Sequence, residues 1–254
     1  MTLATTTTST RQTGLRRSIR LIRLYLREQE APDPFYNFLA EDTFDRISDF
    51  TVAGQTDHLM LDVGGGPGFI AEEARKRGYS CAVIEYEEAE LRLHGRIPDR
   101  AAVGDGQALP VRDHAVSFVH CSNVLEHVQR PELLLAEMVR VTRPGGVGYL
   151  SFTPWLSPWG GHETSPWHFF GGEKAAVRYA ERNCKEPKNR FGRNLFALHL
   201  STIRQWFVDC DDVEILWDGP RYWPSSWKFL TRVPVLGEIL AWNYLVIFRI
   251  RDRS

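Results

Sequence analysis

An apolar segment that runs directly into a cluster of glycines is the feature that most restricts the fold of this chain. Residues 59–78 read LMLDVGGGPGFIAEEARKRG: an apolar strand reaches Asp62, glycines fill four of the next six positions, and a helix follows. Glycines allow a tight turn and leave no Cβ in the way of a ligand. Because doubly wound sheets bind ligands outside the carboxyl ends of their strands, the segment predicts a binding site at this turn.

The alternation of strand and helix continues to the end of the chain. Seven segments carry the hydrophobic pattern of strands, at 58–63, 80–85, 101–103, 115–121, 147–153, 213–217 and 244–250. Four segments fit helices, at 69–77, 87–93, 131–140 and 202–209. Alternation of this kind predicts an α/β fold, in which a mostly parallel sheet carries helices on both faces.

The segments outside this alternation form a tail, a lid and an insertion. Residues 1–13 are Thr-rich and polar, which predicts a disordered tail. Residues 14–50 carry two amphipathic patterns and predict an N-terminal helical lid before the main domain of residues 51–254. Within that domain, residues 154–200 lack regular periodicity after the fifth strand. A loop of this length is usually functional, so we predict an insertion that caps the substrate.

The first helix of the predicted lid, residues 15–27, combines an apolar stripe with five arginines. Leu15, Ile19, Ile22 and Leu26 recur at helical spacing. The stripe could pack on the domain beneath a solvated basic face, or the helix could be a lid that offers cations to an anionic substrate. It could also be a peripheral anchor on anionic lipid. The pattern leaves all three interpretations open.

Composition excludes several classes of function. A net charge of −1 provides no general attraction to nucleic acid. The four cysteines form no CxxC pair, which is typical of thiols in a reducing compartment. The longest strongly apolar run, residues 239–248, is too short to span a bilayer. We therefore expect a cytoplasmic protein, at most peripheral to the inner face of the membrane, that does not bind nucleic acid.

Polar residues follow the next strands at the edge where the glycine turn lies. Glu85 ends the second strand, where an acid can accept hydrogen bonds from both ribose hydroxyls of an adenosine. Asp105 follows the third strand and could reach an adenine amino group, although the sequence GDG is an equally good turn. The fourth strand leads into SFVHCSNVLEHV, residues 117–128. These positions predict one ligand site across four strand ends.

In this order, residues 62–68, Glu85, residues 105–107 and residues 123–128 resemble the class I S-adenosylmethionine-dependent methyltransferases. The resemblance is greatest to the group that methylates small molecules, lipids and glycans, and it covers residues 58–154. It implies a Rossmann-like seven-stranded sheet with a reversed last strand, and S-adenosylmethionine as the cofactor. The implied cofactor-binding residues are Asp62, Gly64, Gly65, Gly66, Gly68, Glu85, Asp105, Gly106, Gln107, Cys121, Ser122 and Asn123.

Candidate catalytic residues lie in the insertion, where the substrate meets the sheet edge in this family. Residues 154–172 contain His162, Glu163 and His168. His162 could be a general base oriented by Glu163, a structural hydrogen-bonding group in an aromatic loop, or a metal ligand. We predict no metal site, because no further clustered acidic ligands appear nearby. The expected acceptor is a small molecule, a glycan or a lipid-linked compound that is methylated on a hydroxyl oxygen.

Two other functions remain compatible with parts of the sequence. A non-catalytic S-adenosylmethionine-binding protein could keep the same fold and cofactor residues. Gly66, Gly68 and Ala71 also satisfy the GxGxxG/A pattern, so an NAD(P)-dependent oxidoreductase accounts for the glycine run and for Glu85. The oxidoreductase interpretation does not account for Asp105 or for the NVLEHV segment.

Overall fold

A sheet of seven strands forms the centre of the structure, a computed structural model that describes residues 14–27, 30–50 and 58–252. The strands are β1 (Leu59–Val63), β2 (Ser80–Glu85), β3 (Ala101–Val103), β4 (Val116–Ser122), β5 (Thr142–Phe152), β6 (Val213–Pro220) and β7 (Tyr244–Ile250). The described residues form the helices α1 (Leu15–Tyr25), α2 (Pro32–Ile47), α3 (Phe69–Lys76), α4 (Glu88–Leu91), α5 (Pro131–Val141), α6 (Gly172–Asn183), α7 (Leu200–Asp209) and α8 (Leu236–Ala241). The predicted tail, residues 1–13, lies outside the described residues.

The strand order is β3-β2-β1-β4-β5-β7-β6. The pairs from β3 to β5 are parallel, whereas β7 runs antiparallel between β5 and β6. This arrangement confirms the predicted α/β fold and the reversed last strand that the resemblance implied. The strand order reverses between β1 and β4: β2 and β3 follow β1 on one side, and β5 follows β4 on the other. A sheet of this kind binds ligands in the crevice at the carboxyl ends of these two strands.

Helices cover both faces of the sheet, because its central strands are apolar on both sides. On one face, Met60 and Phe118 pack with α2 and α3, and Phe44 lies in the same cluster. On the other face, Val119 belongs to a cluster with α5 and α7, to which Ile203 contributes. Full burial of an aliphatic or Phe side chain stabilises the fold by about 1.5–3 kcal/mol. The two packed faces hold the strand ends, and therefore the crevice, in place.

The segment predicted as a lid, residues 14–50, is divided between the core and a cover. Ile47, in the last turn of α2, is buried in the cluster that contains Met60 of the sheet. The first half of α2 packs on α1 instead, where Leu21 and Phe35 belong to a separate apolar cluster. The main body of the domain therefore includes the end of α2, and the part that covers it is α1 with the beginning of α2.

Most of the apolar stripe of α1 does not pack on the domain, because only Ile22 of its four residues is half-buried. The interpretation that the stripe packs on the domain is therefore wrong. Leu15, Ile19 and Leu26 are exposed. The face of α1 that is turned inward carries Arg17, which is buried and paired with the carboxylate of Asp42 in α2. This ion pair sets the rotation of the helix and leaves the stripe outside. No helix in the described part of the chain combines the length and the apolar character needed to cross a membrane.

The insertion predicted at residues 154–200 is built from short helices and α6. Its aromatic residues pack on one another: the ring of Trp155 lies 4.8 Å from that of Phe191 and 5.1 Å from that of His168. Trp159 reaches across to α1, where its ring lies 5.3 Å from that of Tyr25. The insertion and α1 are therefore neighbours on the same side of the domain.

Candidate active site

The glycine turn between β1 and α3 adopts a backbone conformation that other residues tolerate poorly. Gly64, Gly66 and Gly68 have φ angles of 69°, 47° and 84°. A Cβ on Gly64 would lie 2.1 Å from Val124, whereas the nearest atom to a Cβ on Gly66 would be the carbonyl oxygen of Glu90 at 4.0 Å. The backbone at Gly66 therefore lies beside open space, where a ligand can approach it closely.

The carboxylate of Glu85, at the end of β2, lies against this turn. Its Oε2 accepts a hydrogen bond from the backbone N–H of Gly66 at 3.0 Å, and its Oε1 accepts one from that of Tyr86 at 2.8 Å. Burial raises the pKa of Glu85, although these N–H donors favour the ionised form. Each carboxylate oxygen can accept more than one hydrogen bond, so Glu85 can also receive two adjacent hydroxyls.

Asp62, near the end of β1, is held by a histidine that the sequence analysis missed. The strand register pairs Asp62 with His120 of β4, and Oδ1 of Asp62 lies 2.7 Å from Nδ1 of His120. The His120 ring stacks on Tyr149, with centroids 5.1 Å apart. The other oxygen, Oδ2, has no hydrogen-bond partner among the described residues, and a Cβ on Gly65 would lie 2.3 Å from it. Asp62 therefore places a buried acceptor directly beneath the turn.

Asp105 follows β3 at the neighbouring strand end. β3 pairs with β2 through Glu85 and Val103, so the two acids follow adjacent parallel strands. Oδ1 of Asp105 accepts hydrogen bonds from the backbone N–H of Gln107 at 2.8 Å and from its side chain at 3.2 Å. A Cβ on Gly106 would lie 2.8 Å from a leucine of α5. The loop is thus fixed by close packing while Asp105 stays exposed.

The residues at the end of β4 border the crevice and are held by contacts with neighbouring segments. The side chain of Cys121 is fully buried in the core, so only its backbone can reach a ligand. Ser122 Oγ lies 2.9 Å from Ser151 Oγ of β5. Asn123 has a left-handed φ of 56°, and its Oδ1 accepts a hydrogen bond from Asn243 at 2.7 Å. The side chains of Ser122 and Asn123 are thus held by other residues of the chain.

Comparison with known proteins agrees with this geometry. Residues 61–150 match the family described as a methyltransferase domain. An uncharacterized methyltransferase of Mycobacterium ulcerans is 39% identical to this chain, and the match covers 96% of this chain and 98% of the relative. An uncharacterized methyltransferase of Mycolicibacterium vanbaalenii is 40% identical, and the match covers 92% of this chain and 94% of the relative. This chain belongs to the methyltransferase family. A solved S-adenosylmethionine-dependent methyltransferase of Methanosarcina mazei has the same fold, with a TM-score of 0.51 and 17% identity over 81% of this chain and 97% of that one.

The methyltransferase is a class I enzyme, and its cofactor is S-adenosylmethionine. The crevice fits this molecule on three observations. The backbone at Gly66 borders open space, Asp62 presents a buried oxygen without a partner, and Glu85 presents a carboxylate at the strand end. A positively charged sulfonium compound suits a crevice that is bordered by carboxylates. Glu85 would hold the ribose, and the glycine turn would hold the methionine portion.

Beside this crevice, the methyltransferase brings together three residues from two distant segments. Glu126 and His127 follow β4, and their ligand atoms and that of His162 in the insertion all lie within 4.8 Å of one another. The rings of His127 and His162 have centroids 4.9 Å apart. Burial raises the pKa of Glu126. Burial, and then the nearby His127, lower the pKa of His162 to about 3, so its imidazole is neutral at physiological pH.

The expected pairing of His162 with Glu163 is not formed. The carboxylate of Glu163 is exposed and accepts hydrogen bonds from the Asn189 side chain at 3.0 and 3.2 Å. His168 is buried, and its Nε2 lies 3.1 Å from the carbonyl oxygen of Ser157, which makes it part of the packing of the insertion. Neighbouring positions in a short helical turn point in different directions, which separates these three side chains. Of the three, His162 alone joins the Glu126 cluster.

A buried group of arginines connects α1 and α2 with the ends of β4 and β5. Arg221 is fully buried and donates hydrogen bonds to Ser122 Oγ at 2.6 Å and to Ser151 Oγ at 3.0 Å. Its carbonyl oxygen accepts hydrogen bonds from Arg17 at 3.0 Å and from Arg46 at 3.1 Å. The carboxylate of Asp42 pairs with both of these arginines. Sequence patterns gave no indication of this group, because its charged members come from three separate segments.

Proposed function

We propose that this methyltransferase acts on a hydroxyl oxygen of a small-molecule, glycan or lipid-linked acceptor, which binds beside Glu126, His127 and His162. The observation that carries the proposal is the position of this polar cluster, directly after β4 and beneath the insertion. Glu126 Oε2 and His162 Nε2 are buried and have no hydrogen-bond partner among the described residues. A hydroxyl group can donate to such an atom, whereas an apolar acceptor would leave both of them unsatisfied.

In this proposal the chain holds the two reactants in line. Glu85 would bind the ribose hydroxyls, Asp105 and Gln107 would hold the adenine, and the glycine turn at residues 64–68 would hold the methionine portion. When bound, S-adenosylmethionine supplies a methyl group on a positively charged sulfur, which is already a strong electrophile. Most of the catalytic contribution of the chain is therefore the positioning of the acceptor oxygen and the exclusion of water.

His162 is the residue that accepts the hydroxyl proton in this proposal. Its neutral imidazole accepts the hydrogen bond of the hydroxyl as the acceptor binds. With a pKa of about 3, His162 is too weak a base to deprotonate a free hydroxyl. It would instead take the proton from the protonated ether that methyl transfer leaves, because a protonated ether is far more acidic than an imidazolium ion. The proton then passes from His162 to water.

Replacing His162 with alanine is expected to lower turnover about 100-fold, the range of effect typical of a lost acid–base group. Binding of S-adenosylmethionine, measured by calorimetry, should remain within about twofold of wild type. A matched control is His114→Asn, because His114 precedes β4 at the opposite edge of the sheet and has a φ of 54° that asparagine tolerates. Unchanged turnover in His162→Ala would remove this residue from the proton transfer.

We also propose that α1 rests on an anionic membrane surface, which favours a lipid-linked acceptor. The exposed apolar stripe of α1 is flanked by four exposed arginines, Arg16, Arg20, Arg23 and Arg27. An apolar stripe with basic flanks is typical of a helix that lies in the interface of a bilayer. Each arginine near an anionic surface contributes about 1 kcal/mol. Because Tyr25 contacts Trp159 of the insertion, the stripe lies beside the segment that covers the acceptor side.

The membrane contact is tested by flotation with vesicles of phosphatidylcholine, with and without phosphatidylserine. The wild-type chain is expected to float with the anionic vesicles and to be released by salt. The double variant Ile19→Glu, Leu26→Glu should bind at least tenfold more weakly, because charge replaces inserted apolar side chains. Val208→Glu is the control, since Val208 is exposed on α7, away from the stripe. Equal flotation of the double variant and the control would contradict the proposal.

A further inference from the structure

The cluster of Glu126, His127 and His162 has the composition and spacing of a metal-binding site. One ligand atom of each residue lies within 4.8 Å of the other two, although 36 positions separate Glu126 from His162 in the sequence. Divalent metal ions bind imidazole nitrogens and carboxylate oxygens at about 2.0–2.2 Å, so atoms around one ion lie roughly 3–4 Å apart. Small side-chain rotations would therefore bring all three onto a single ion.

Two members of the cluster, Glu126 and His127, are oriented by hydrogen bonds to the backbone. Oε1 of Glu126 accepts a hydrogen bond from the backbone N–H of Thr153 at 3.0 Å, and Nδ1 of His127 lies 2.7 Å from the carbonyl oxygen of Asn194. A ligating histidine usually donates its second ring N–H to such a carbonyl, which leaves Nε2 for the metal. The outer contacts of Glu126 and His127 are thus those of ligands already oriented by their surroundings.

The remaining atoms of the cluster lack any partner in the described part of the chain. Oε2 of Glu126, whose side chain is 1% exposed, and Nε2 of His162 are both buried and make no hydrogen bond. Leaving a buried carboxylate oxygen unsatisfied is costly, and more so when the group is charged. An ion with a double positive charge would satisfy both atoms at once.

We propose that Glu126, His127 and His162 bind one divalent cation of the zinc and cobalt type. Two imidazoles and one carboxylate suit Zn²⁺, Co²⁺, Mn²⁺ and Fe²⁺, whereas Mg²⁺ prefers a set made of oxygens. Three protein ligands leave a coordination position open, as in metal sites that bind a substrate. This inference rests on the proposed methyl transfer and changes one part of it: with the cation bound, Nε2 of His162 is a ligand and no longer accepts the hydroxyl proton. The open position then holds the hydroxyl oxygen in line with the methyl group, and the proton of the metal-bound hydroxyl passes to water.

The prediction that no metal binds considered only the sequence around His162. The two other ligands come from the end of β4, and only the fold brings the insertion over them. The ligand set therefore could not be read from local spacing, in contrast to sites whose ligands lie within one helix or loop.

The experiment uses the full chain after treatment with a chelator and measures binding of Zn²⁺ and Co²⁺ by calorimetry. We expect one equivalent of each ion and, with Co²⁺, visible absorption bands of a nitrogen- and oxygen-ligated ion. His162→Ala and Glu126→Gln should each lower the affinity at least 100-fold, while His114→Asn should leave it unchanged. Glutamine keeps an oxygen for the Thr153 N–H, so the second variant preserves the packing around β5.

Several results would overturn the metal site. These are the lack of stoichiometric binding by the wild-type chain, binding of Mg²⁺ but not Zn²⁺ or Co²⁺, and equal affinity in wild type and His162→Ala. Wild-type titration decides the question even if a variant fails to fold. Turnover is measured separately with the chelated chain: full activity with no metal bound would reject a role of the cation in holding the acceptor and leave the proposed methyl transfer intact. Stoichiometric metal binding without methyl transfer to any hydroxyl acceptor would support the cation site and reject the proposed methyl transfer.

Discussion

Replacing Glu85 with alanine is expected to weaken S-adenosylmethionine binding about 100-fold, which corresponds to about 2.7 kcal/mol. A hydrogen bond to a charged group contributes about 1.5–3 kcal/mol, and the carboxylate of Glu85 can receive both ribose hydroxyls. The variant also removes the acceptor of the Gly66 N–H, which holds the glycine turn in its present conformation. Calorimetric titration of the purified chain with S-adenosylmethionine measures the effect directly.

The control for this prediction is Glu87→Ala, because Glu87 lies two positions further on and its side chain is exposed. It should bind the cofactor with wild-type affinity. Unchanged affinity in Glu85→Ala would place the ribose away from the end of β2 and defeat the assignment of the whole crevice.

The raised pKa of Glu85 adds a dependence on pH to the same test. Burial favours the protonated carboxyl, so on acidification Glu85 loses its charge at a higher pH than an exposed glutamate does. Cofactor affinity of the wild type should therefore fall as the pH is lowered, toward the affinity of Glu85→Gln. The variant has no charge to lose at this position and should show the flatter profile between pH 8 and pH 5.

Five of the seven strands could be predicted from the sequence to within one residue at each end, because the sheet is mostly parallel and buried on both faces; β5 and β6 are longer than predicted. β2 was predicted at 80–85 and is found at Ser80–Glu85, and β7 was predicted at 244–250 and is found at Tyr244–Ile250. Strands of this kind are continuous apolar runs, which the turns between them interrupt clearly. The cofactor side of the site follows from these strands, since each of its residues lies at or just after a strand end.

The helix α6 was not predicted, for a reason that its packing makes clear. It buries small residues, among them Ala175 and Ala176, while Val177 on its other side is exposed. A helix that packs through alanines carries no stripe of large apolar residues, so the hydrophobic pattern does not identify it.

The long-range contacts that hold both sides of the site could not be predicted, because they join residues that are far apart in the chain. Asp62 and His120 are separated by 58 positions, and Arg221 and Ser122 by 99. A histidine within an apolar strand was the one available signal for the first of these pairs. Local reasoning placed His162 beside Glu163, whereas the fold places it beside the residues that follow β4.

The group of Arg17, Arg46 and Arg221 shows how contacts between distant residues hold α1 in place over the site. The guanidinium groups of Arg17 and Arg46 pair with the single carboxylate of Asp42, and the fully buried Arg221 adds a third positive charge nearby. Burial opposes the ionisation of Asp42, but the charges of Arg46 and Arg17 outweigh it, so the pKa of Asp42 is lowered. Asp42 is therefore the counter-charge that allows α1 to dock beside the ends of β4 and β5. Without it, the arginines would repel one another in a medium of low polarity.

Replacing Asp42 with asparagine should lower the free energy of unfolding by about 3–5 kcal/mol, because it leaves buried cations uncompensated. Asp45→Asn is the control: Asp45 lies on the same helix in a partly exposed pair with Arg77, and its loss should cost less than about 1 kcal/mol.

Since the pKa of Asp42 is lowered in the folded state, its stabilisation is complete above the unfolded pKa and is lost only as the pH falls through the folded value. Denaturant unfolding should therefore give the same difference between wild type and Asp42→Asn at pH 7 and at pH 5. Trypsin should also cleave α1 of the variant faster at Arg20 and Arg23, and equal cleavage rates with equal stabilities would show that α1 docks without Asp42.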